Sequence, residues 1–350
     1  MSVSVHAAKR PTATSCSRRC ASSSAGMTKS RLRRDRGHPD APGSVMPASG
    51  ENHVVTLRVG DTALDVRPEI GLVCSSLTVA GREYLRFRSV EAVRDGHTSG
   101  IPLLAPWANR LRGPDYVVDG VEVGVVGAPG VHVDDAGLPI HGTMVGRSGW
   151  VVDAPVTTST SARMSARFDA SECVEVMASF PFPHSLGVEY LLEPGRLTVI
   201  TTLTATGSFS VPVSFGWHPY FTLPGSTRSD WTLELPDRHH LELDEFHLPT
   251  GRENFEPAES ISLTGTAFDD GYRLGDDRSM ALTDGIDRIE VSFDDTYSFA
   301  QVYAPVASNL VALEPMTAAT DALSCGRTPI VEPGGCLPAT FTISISREGN

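Results

Sequence analysis

From residue 53 onward, apolar and polar residues alternate with a period of two, and this pattern constrains the fold more than any other feature. In VTLRVGDTALDVRP, Leu57, Val59, Leu64 and Val66 fall on one face of a strand pair, with Gly60-Asp61 as the hairpin turn. YVVDGVEVGV repeats the design around Asp119-Gly120. Further runs of Val, Ile, Thr and aromatic residues follow in SLTVAGREYL, RLTVITTLTA, DWTLEL, RIEVSF and FTISIS, each bounded by Gly, Pro or Asp. Helical spacing is confined to SVEAVRD, enough for a turn or two. Strands recur to about residue 345 without a linker-like gap or a fixed repeat, so residues 51–350 are expected to form one all-β domain, a large antiparallel β-sandwich.

Residues 1–50 read differently. They carry nine Lys/Arg and two Asp/Glu and are rich in Ser, with few large apolar side chains. Such a segment buries too little surface to offset its chain entropy, so a disordered basic tail is expected there. Met27 or Met46 then becomes a candidate start, with an organellar leader as the alternative. The remaining 300 residues hold 20 basic and 40 acidic residues. A body so acidic repels phosphate backbones and anionic membranes, which excludes nucleic acid and membrane partners for the folded part. The six cysteines show no zinc-site spacing and no disulfide framework, so a reducing, cytoplasmic setting is expected.

Four stretches break the alternation: PLLAPWANRLRG (102–113), GLPIHGTMVGRSGW (137–150), SFGWHPYF (214–221) and VALEPMTAATDAL (311–323). Glu314 ends an apolar run and precedes Pro315, which biases it toward an extended backbone. Alone, it is either a solvated strand end or a functional acid. His141 follows a Gly-Leu-Pro turn, and Asn109 and Arg110 follow Trp107 in a Pro-initiated loop; each has a plain structural reading beside a functional one. His218 sits among Trp217, Tyr220 and Phe221, where core packing, metal ligation and acid–base catalysis all stand open.

Taken in order, PWANR (106–110), HG (141–142), GWHPYF (216–221) and EPMT (314–317) resemble the signatures of the aldose 1-epimerase (galactose mutarotase) family, in its bacterial branch. The resemblance runs from about residue 53 to the C-terminus. It implies a β-supersandwich that interconverts the α and β anomers of a free sugar without a cofactor or a metal. By the same resemblance Glu314 is the general base and His218 the general acid, and His141 assists or binds sugar. Asn109 and Arg110 bind hydroxyls. Asp270 in TAFDDGY matches the family's sugar-binding acid, with Asp269 as its rival, and Gln301 in FAQVYAP matches its sugar-binding glutamine. Two departures, PW for GR before the NR pair and Thr143 for a second glycine after HG, bear on which sugar is taken.

These groups suit the chemistry. Anomer exchange removes a proton from the C1 hydroxyl while the ring oxygen O5 gains one; the ring opens, C1–C2 rotates, and closure reverses the transfers. A carboxylate and an imidazole can perform both steps, each contributing about 10²–10⁴-fold. Other chemistries leave residues over. A glycoside hydrolase needs two carboxylates, such as Glu314 and Asp270, but gives His218 and His141 no task. A non-catalytic sugar-binding sandwich needs neither acid nor base. A hexose 6-phosphate mutarotase needs a cation for the phosphate, for which Arg112 and Arg147 are candidates. In HHLELDEFH, His239 and His240 point to opposite faces of a strand, which disfavours a metal site. Trp217 and Trp107 fit core packing better than a sugar platform. The sequence does not specify the oligomeric state.

Overall fold

The long strands form where the alternation is longest. His184–Glu193 and Arg196–Ala205 each bury every second residue and pair antiparallel across a two-residue turn containing Gly195, whose φ of 66° needs no Cβ. Cys336–Arg347 pairs with Arg196–Ala205 on one side and Asp287–Phe293 on the other. With Ala162–Asp169, Ser279–Thr283, Thr232–Leu235 and shorter pieces they make a ten-stranded sheet. The computed structural model describes residues 53–347 of the chain, so the expected tail at residues 1–50 lies outside the described residues.

A second, eight-stranded sheet runs in the order Pro249–Glu256, Arg238–Leu243, Phe268–Leu274, Phe299–Ala304, Val311–Met316, Gly216–Trp217 and Leu103–Leu104. Tyr220–Phe221 also pairs with Val311–Met316. The two sheets meet through large aromatic side chains. Trp217 of the second sheet packs against Tyr190 and Phe341 of the first, and its indole N–H donates to Thr201 Oγ1 at 3.0 Å. Residues of both sheets thus share one continuous apolar core. The all-β antiparallel sandwich expected from the alternation is the fold observed.

Two hairpins follow the expected turns, Val59 pairing with Thr62 around Gly60-Asp61 and Val118 with Val121 around Asp119-Gly120. The helix in SVEAVRD spans Val90–Arg94, where the Ser89 side chain caps the N-terminus by accepting from Ala92 N–H at 3.1 Å. A second short helix, Val174–Ser179, is not signalled by the sequence, because its β-branched residues read as strand formers. Among the described residues, no helix is long and apolar enough to cross a membrane.

Candidate active site

Register assembles the centre of the site. Gln301 stands directly opposite Glu314 in the ladder between Phe299–Ala304 and Val311–Met316. On the far side of Val311–Met316, Gly216 pairs with Met316 and Tyr220 with Ala312, which sets His218 opposite Glu314. Three polar side chains from separate strands therefore lie in one row across a single face of the sheet. Pro219 interrupts the strand just after His218, so the ladder opens where the imidazole projects. Gly216 is required here: a Cβ would lie 2.6 Å from the carbonyl oxygen of Pro315.

The loops 105–111 and 139–143 close over one end of this row. They are tied together by His141 N–H donating to Asn109 O at 3.0 Å and Leu111 N–H donating to Pro139 O at 2.9 Å. Asn109 and His141 both adopt left-handed backbone, φ 57° and 63°, which non-glycine residues adopt only where surroundings hold them. Gly142 explains the HG pair. Its φ is 66°, and a Cβ would fall 2.1 Å from the carbonyl oxygen of Ala105, so only glycine lets the loops approach this closely.

Together these elements enclose a hollow of about 160 Å³ lined by Asn109, Arg110, His141, His218, Gln301 and Glu314, with Thr98, Ile140, Tyr220, Asp269 and Tyr303 completing the wall. Glu314 and His218 are in direct contact, Nε2 to Oε1 at 3.2 Å, and both are buried. The Tyr220 hydroxyl lies 3.1 Å from the same Nε2 and its ring stacks on the imidazole with centroids 4.2 Å apart. His141 meets His218 edge-on at 5.6 Å. Glu314 Oε2, His218 Nδ1 and His141 Nδ1 have no partner among the described residues. Three such atoms in one small hollow are a ready set of hydrogen-bonding groups for a polar ligand, because each unsatisfied group costs about 1–3 kcal/mol.

Burial governs the charges. It pushes the Glu314 carboxyl well above the usual carboxylate range, helped by repulsion from Asp269 and opposed by Arg110. It holds the His218 imidazole well below its ordinary value, with His141 adding to the depression. His141 is lowered to about 3 by desolvation, then by Arg110 and His132. At His218, burial by the surrounding wall therefore outweighs the neighbouring carboxylate. Glu314 and His218 share one proton in a buried pair whose uncharged form burial favours.

The binding candidates divide. Asn109 Oδ1 accepts from Arg110 N–H at 2.9 Å and from Arg110 Nη1 at 3.3 Å, leaving its amide NH₂ without a partner among the described residues. Arg110 is anchored by Asp134 at 2.7 Å. Gln301 donates through Nε2 to Asp269 Oδ1 at 2.8 Å. Asp270 is the exception. It lies opposite Val302, on the other face from Gln301, and bonds His240 Nε2 at 3.0 Å. Asp269 therefore occupies the position at the hollow that the sequence reading gave first to Asp270, since one residue along a strand reverses the face. Gly271, opposite Gln301, supplies the clearance for this arrangement.

Other candidates lie elsewhere. Arg112 pairs with Asp321, and Arg147 pairs with Glu175 and donates to Thr143 O, so neither proposed phosphate partner reaches the hollow. His239 and His240 are engaged by different carboxylates, and among the described residues no group of three or more His, Cys, Asp or Glu could hold a metal ion. Trp107 and Trp217 are fully buried core residues. The sequence reading missed Tyr303 and Thr98 and did not assign Tyr220 to the hollow. The only available signal was parity with Gln301 for Tyr303, and with His218 for Tyr220.

Comparison with known proteins gives the family and the fold. The family model described as aldose 1-epimerase matches residues 53–340. The uncharacterized protein YihR of Escherichia coli (strain K12) is 24% identical over 292 residues, covering 80% of this chain and 88% of its own. Among solved structures, a galactose mutarotase-like protein from Clostridium acetobutylicum superposes with a TM-score of 0.73 at 17% identity, over 84% of this chain and 95% of that one. Galactose 1-epimerase from Lactobacillus acidophilus NCFM gives 0.67 at 15% identity, over 84% and 94%. At these identities the structural likeness speaks for the fold.

Proposed function

This chain belongs to the aldose 1-epimerase family, and from that premise we propose that it interconverts the α and β anomers of a free aldose by general acid–base ring opening. The observation that carries the proposal is the Glu314–His218 contact inside a hollow where Glu314 Oε2, His218 Nδ1 and His141 Nδ1 lack partners among the described residues. The two groups stand side by side, not across the width of a sugar ring. That suits the reaction, because O1 and O5 are bonded to the same carbon. One sugar placed with C1 against the pair presents both oxygens to both groups.

In the forward step Glu314 takes the O1 proton and His218 gives one to O5. The O1 electrons form the C1 carbonyl as the C1–O5 bond breaks toward O5. Rotation about C1–C2 presents the opposite face of the carbonyl, and the O5 hydroxyl adds with the proton transfers reversed. The pair carries one proton at the start and one at the end. Arg110 favours the carboxylate form of Glu314 that this direction needs. His141, held uncharged, and the free amide of Asn109 are placed to bond hydroxyls. Gln301 and Asp269 hold each other and the opposite edge of the ring.

The pair fixes the pH response. Activity requires one proton on it. A second proton, hindered by the depressed imidazole, shuts the reaction down on the acid side below the ordinary histidine range. Loss of the single proton shuts it down on the alkaline side, above the ordinary carboxylate range. The test is polarimetry on freshly dissolved α-D-glucose and α-D-galactose. Acceleration by the protein, with a bell-shaped dependence on pH, is expected. A relaxation rate equal to that of buffer for every aldose tried would end the reading.

A further inference from the structure

Beside the hollow lies a larger cavity of about 820 Å³, and the two share Thr98, Tyr220 and Tyr303 as a common wall. The hollow is smaller than a usual ligand pocket, whereas the cavity falls within the usual range. Its lining includes Arg86 and Arg88 and contains no carboxylate. That composition runs against the rest of the chain, where residues 51–350 carry twice as many acidic as basic residues. Neither arginine side chain has an ion-pair or hydrogen-bond partner among the described residues. Both side chains are exposed, whereas Arg82, Arg110, Arg112 and Arg147 each pair with a carboxylate.

The backbone ties these two residues beside the shared wall. Arg86 N–H donates to Tyr220 O at 2.9 Å, and Arg88 N–H donates to Ser99 Oγ at 2.7 Å. Phe87 between them packs against the separate apolar cluster of Ile70, Val73, Val90 and Val93. The positive charge of Arg88 is felt at the Tyr220 hydroxyl, which lies between Thr98 Oγ1 at 2.6 Å and His218 Nε2 at 3.1 Å.

We infer that the preferred substrate is an aldose carrying an oxyanion, a phosphate or a carboxylate, at C6, and that Arg86 and Arg88 bind it. This rests on the mutarotase reading and on its assignment of O5 to His218, which together give the sugar its direction. His218 protonates O5, O5 is bonded to C5, and C5 carries C6. With His218 against Tyr220 at the shared wall, the C6 substituent is the part of the sugar nearest the arginine-lined cavity. A guanidinium with no internal partner can meet an oxyanion by two parallel hydrogen bonds, which a neutral hydroxymethyl group cannot use.

The experiment measures anomer exchange by two-dimensional exchange NMR on glucose, glucose 6-phosphate and glucuronic acid, with the full chain and with Arg86→Ala/Arg88→Ala. At least one of the two anions is expected to exceed glucose in kcat/KM by ~10-fold or more in the parent, and added salt should narrow the gap. The double variant should lose that advantage and leave glucose unchanged, which also shows that it is folded. Arg86→Lys/Arg88→Lys should restore part of it. The phosphate and carboxylate arms identify which oxyanion is taken. Equal rates for neutral and anionic sugars, or equal losses on both in the double variant, would overturn the inference while leaving mutarotation standing. If no sugar is accelerated, the mutarotase reading fails. Calorimetric titration of glucose 6-phosphate and of glucuronic acid then decides the cavity, the inference standing only if the double variant binds one of them at least ~10-fold more weakly than the parent.

Discussion

The two sheets use the same strand-forming residues and differ in where they place polar ones. In the ten-stranded sheet, His184–Glu193 and Arg196–Ala205 bury one face and wet the other in strict alternation. In the eight-stranded sheet, Val311–Met316 is buried at all six positions, Glu314 included. One face of that strand meets the apolar core and the other meets the hollow. The first sheet is arranged for stability; the second holds a desolvated carboxyl with an unpartnered oxygen, which costs stability where it stands. The candidate site is carried on the sheet that includes short, interrupted strands, while long regular ladders opposite keep it in place.

The largest effect that would sharpen this contrast comes from the pair itself. Glu314→Gln and His218→Asn should each slow mutarotation by ~10²-fold or more in polarimetry. The same Glu314→Gln chain should resist urea at least as well as the parent, since it removes a buried acid; a fully active variant, or a large loss of stability, would break the comparison. Gly142→Ala comes next. The added Cβ would press on the Ala105 carbonyl and move His141, so a rate loss of ~10-fold with a stability loss of about 2–3 kcal/mol is expected. Gly60→Ala has a similar positive φ with nothing within 4 Å, so it should cost about 1 kcal/mol and no activity.

A smaller effect separates adjacent residues on one strand. Asp269→Asn should lower kcat/KM several-fold, about 5-fold for one weakened polar contact, and Asp270→Asn should leave it unchanged. The reverse result would place the sugar on the other face of Phe268–Leu274. The smallest concerns the ten-stranded sheet. His184 is fully buried and its imidazole is held below its ordinary value by desolvation. Above pH ~6.5 neither state binds its proton and its contribution to stability is flat. As pH falls below that value the unfolded chain takes up a proton that the native chain refuses, so stability declines by up to ~1.4 kcal/mol per unit. Urea unfolding at two pH values should show a smaller acid loss in His184→Gln than in the parent.

The alternation made the sandwich legible, because a period of two survives wherever a strand has one wet face. Glu314, His218, His141 and the Asn109-Arg110 pair were legible as motifs, since proline, glycine and aromatic neighbours set them apart from ordinary strand residues. Asp269 was not separable from Asp270. That choice depends on how Phe268–Leu274 pairs with Phe299–Ala304, about thirty positions away, and register is a property of the partner strand as much as of the residue. Tyr303 reads as an ordinary strand aromatic, and Arg86 and Arg88 read as loop charges. Only chain folding brings them to the shared wall. The depressed imidazole likewise follows from packing on several strands at once, which no local stretch encodes.

The segment Pro305–Leu310 joins the strands that carry Gln301 and Glu314, and it also forms part of the arginine-lined cavity. Its two ends are clamped by the ladder, so its middle can lengthen, shorten or change composition without displacing either reacting group. On the proposed reading, recognition and reaction are thereby uncoupled within a single hairpin. On that same reading, the connection is the place to edit for a different sugar decoration, with the Glu314–His218 contact left as it stands.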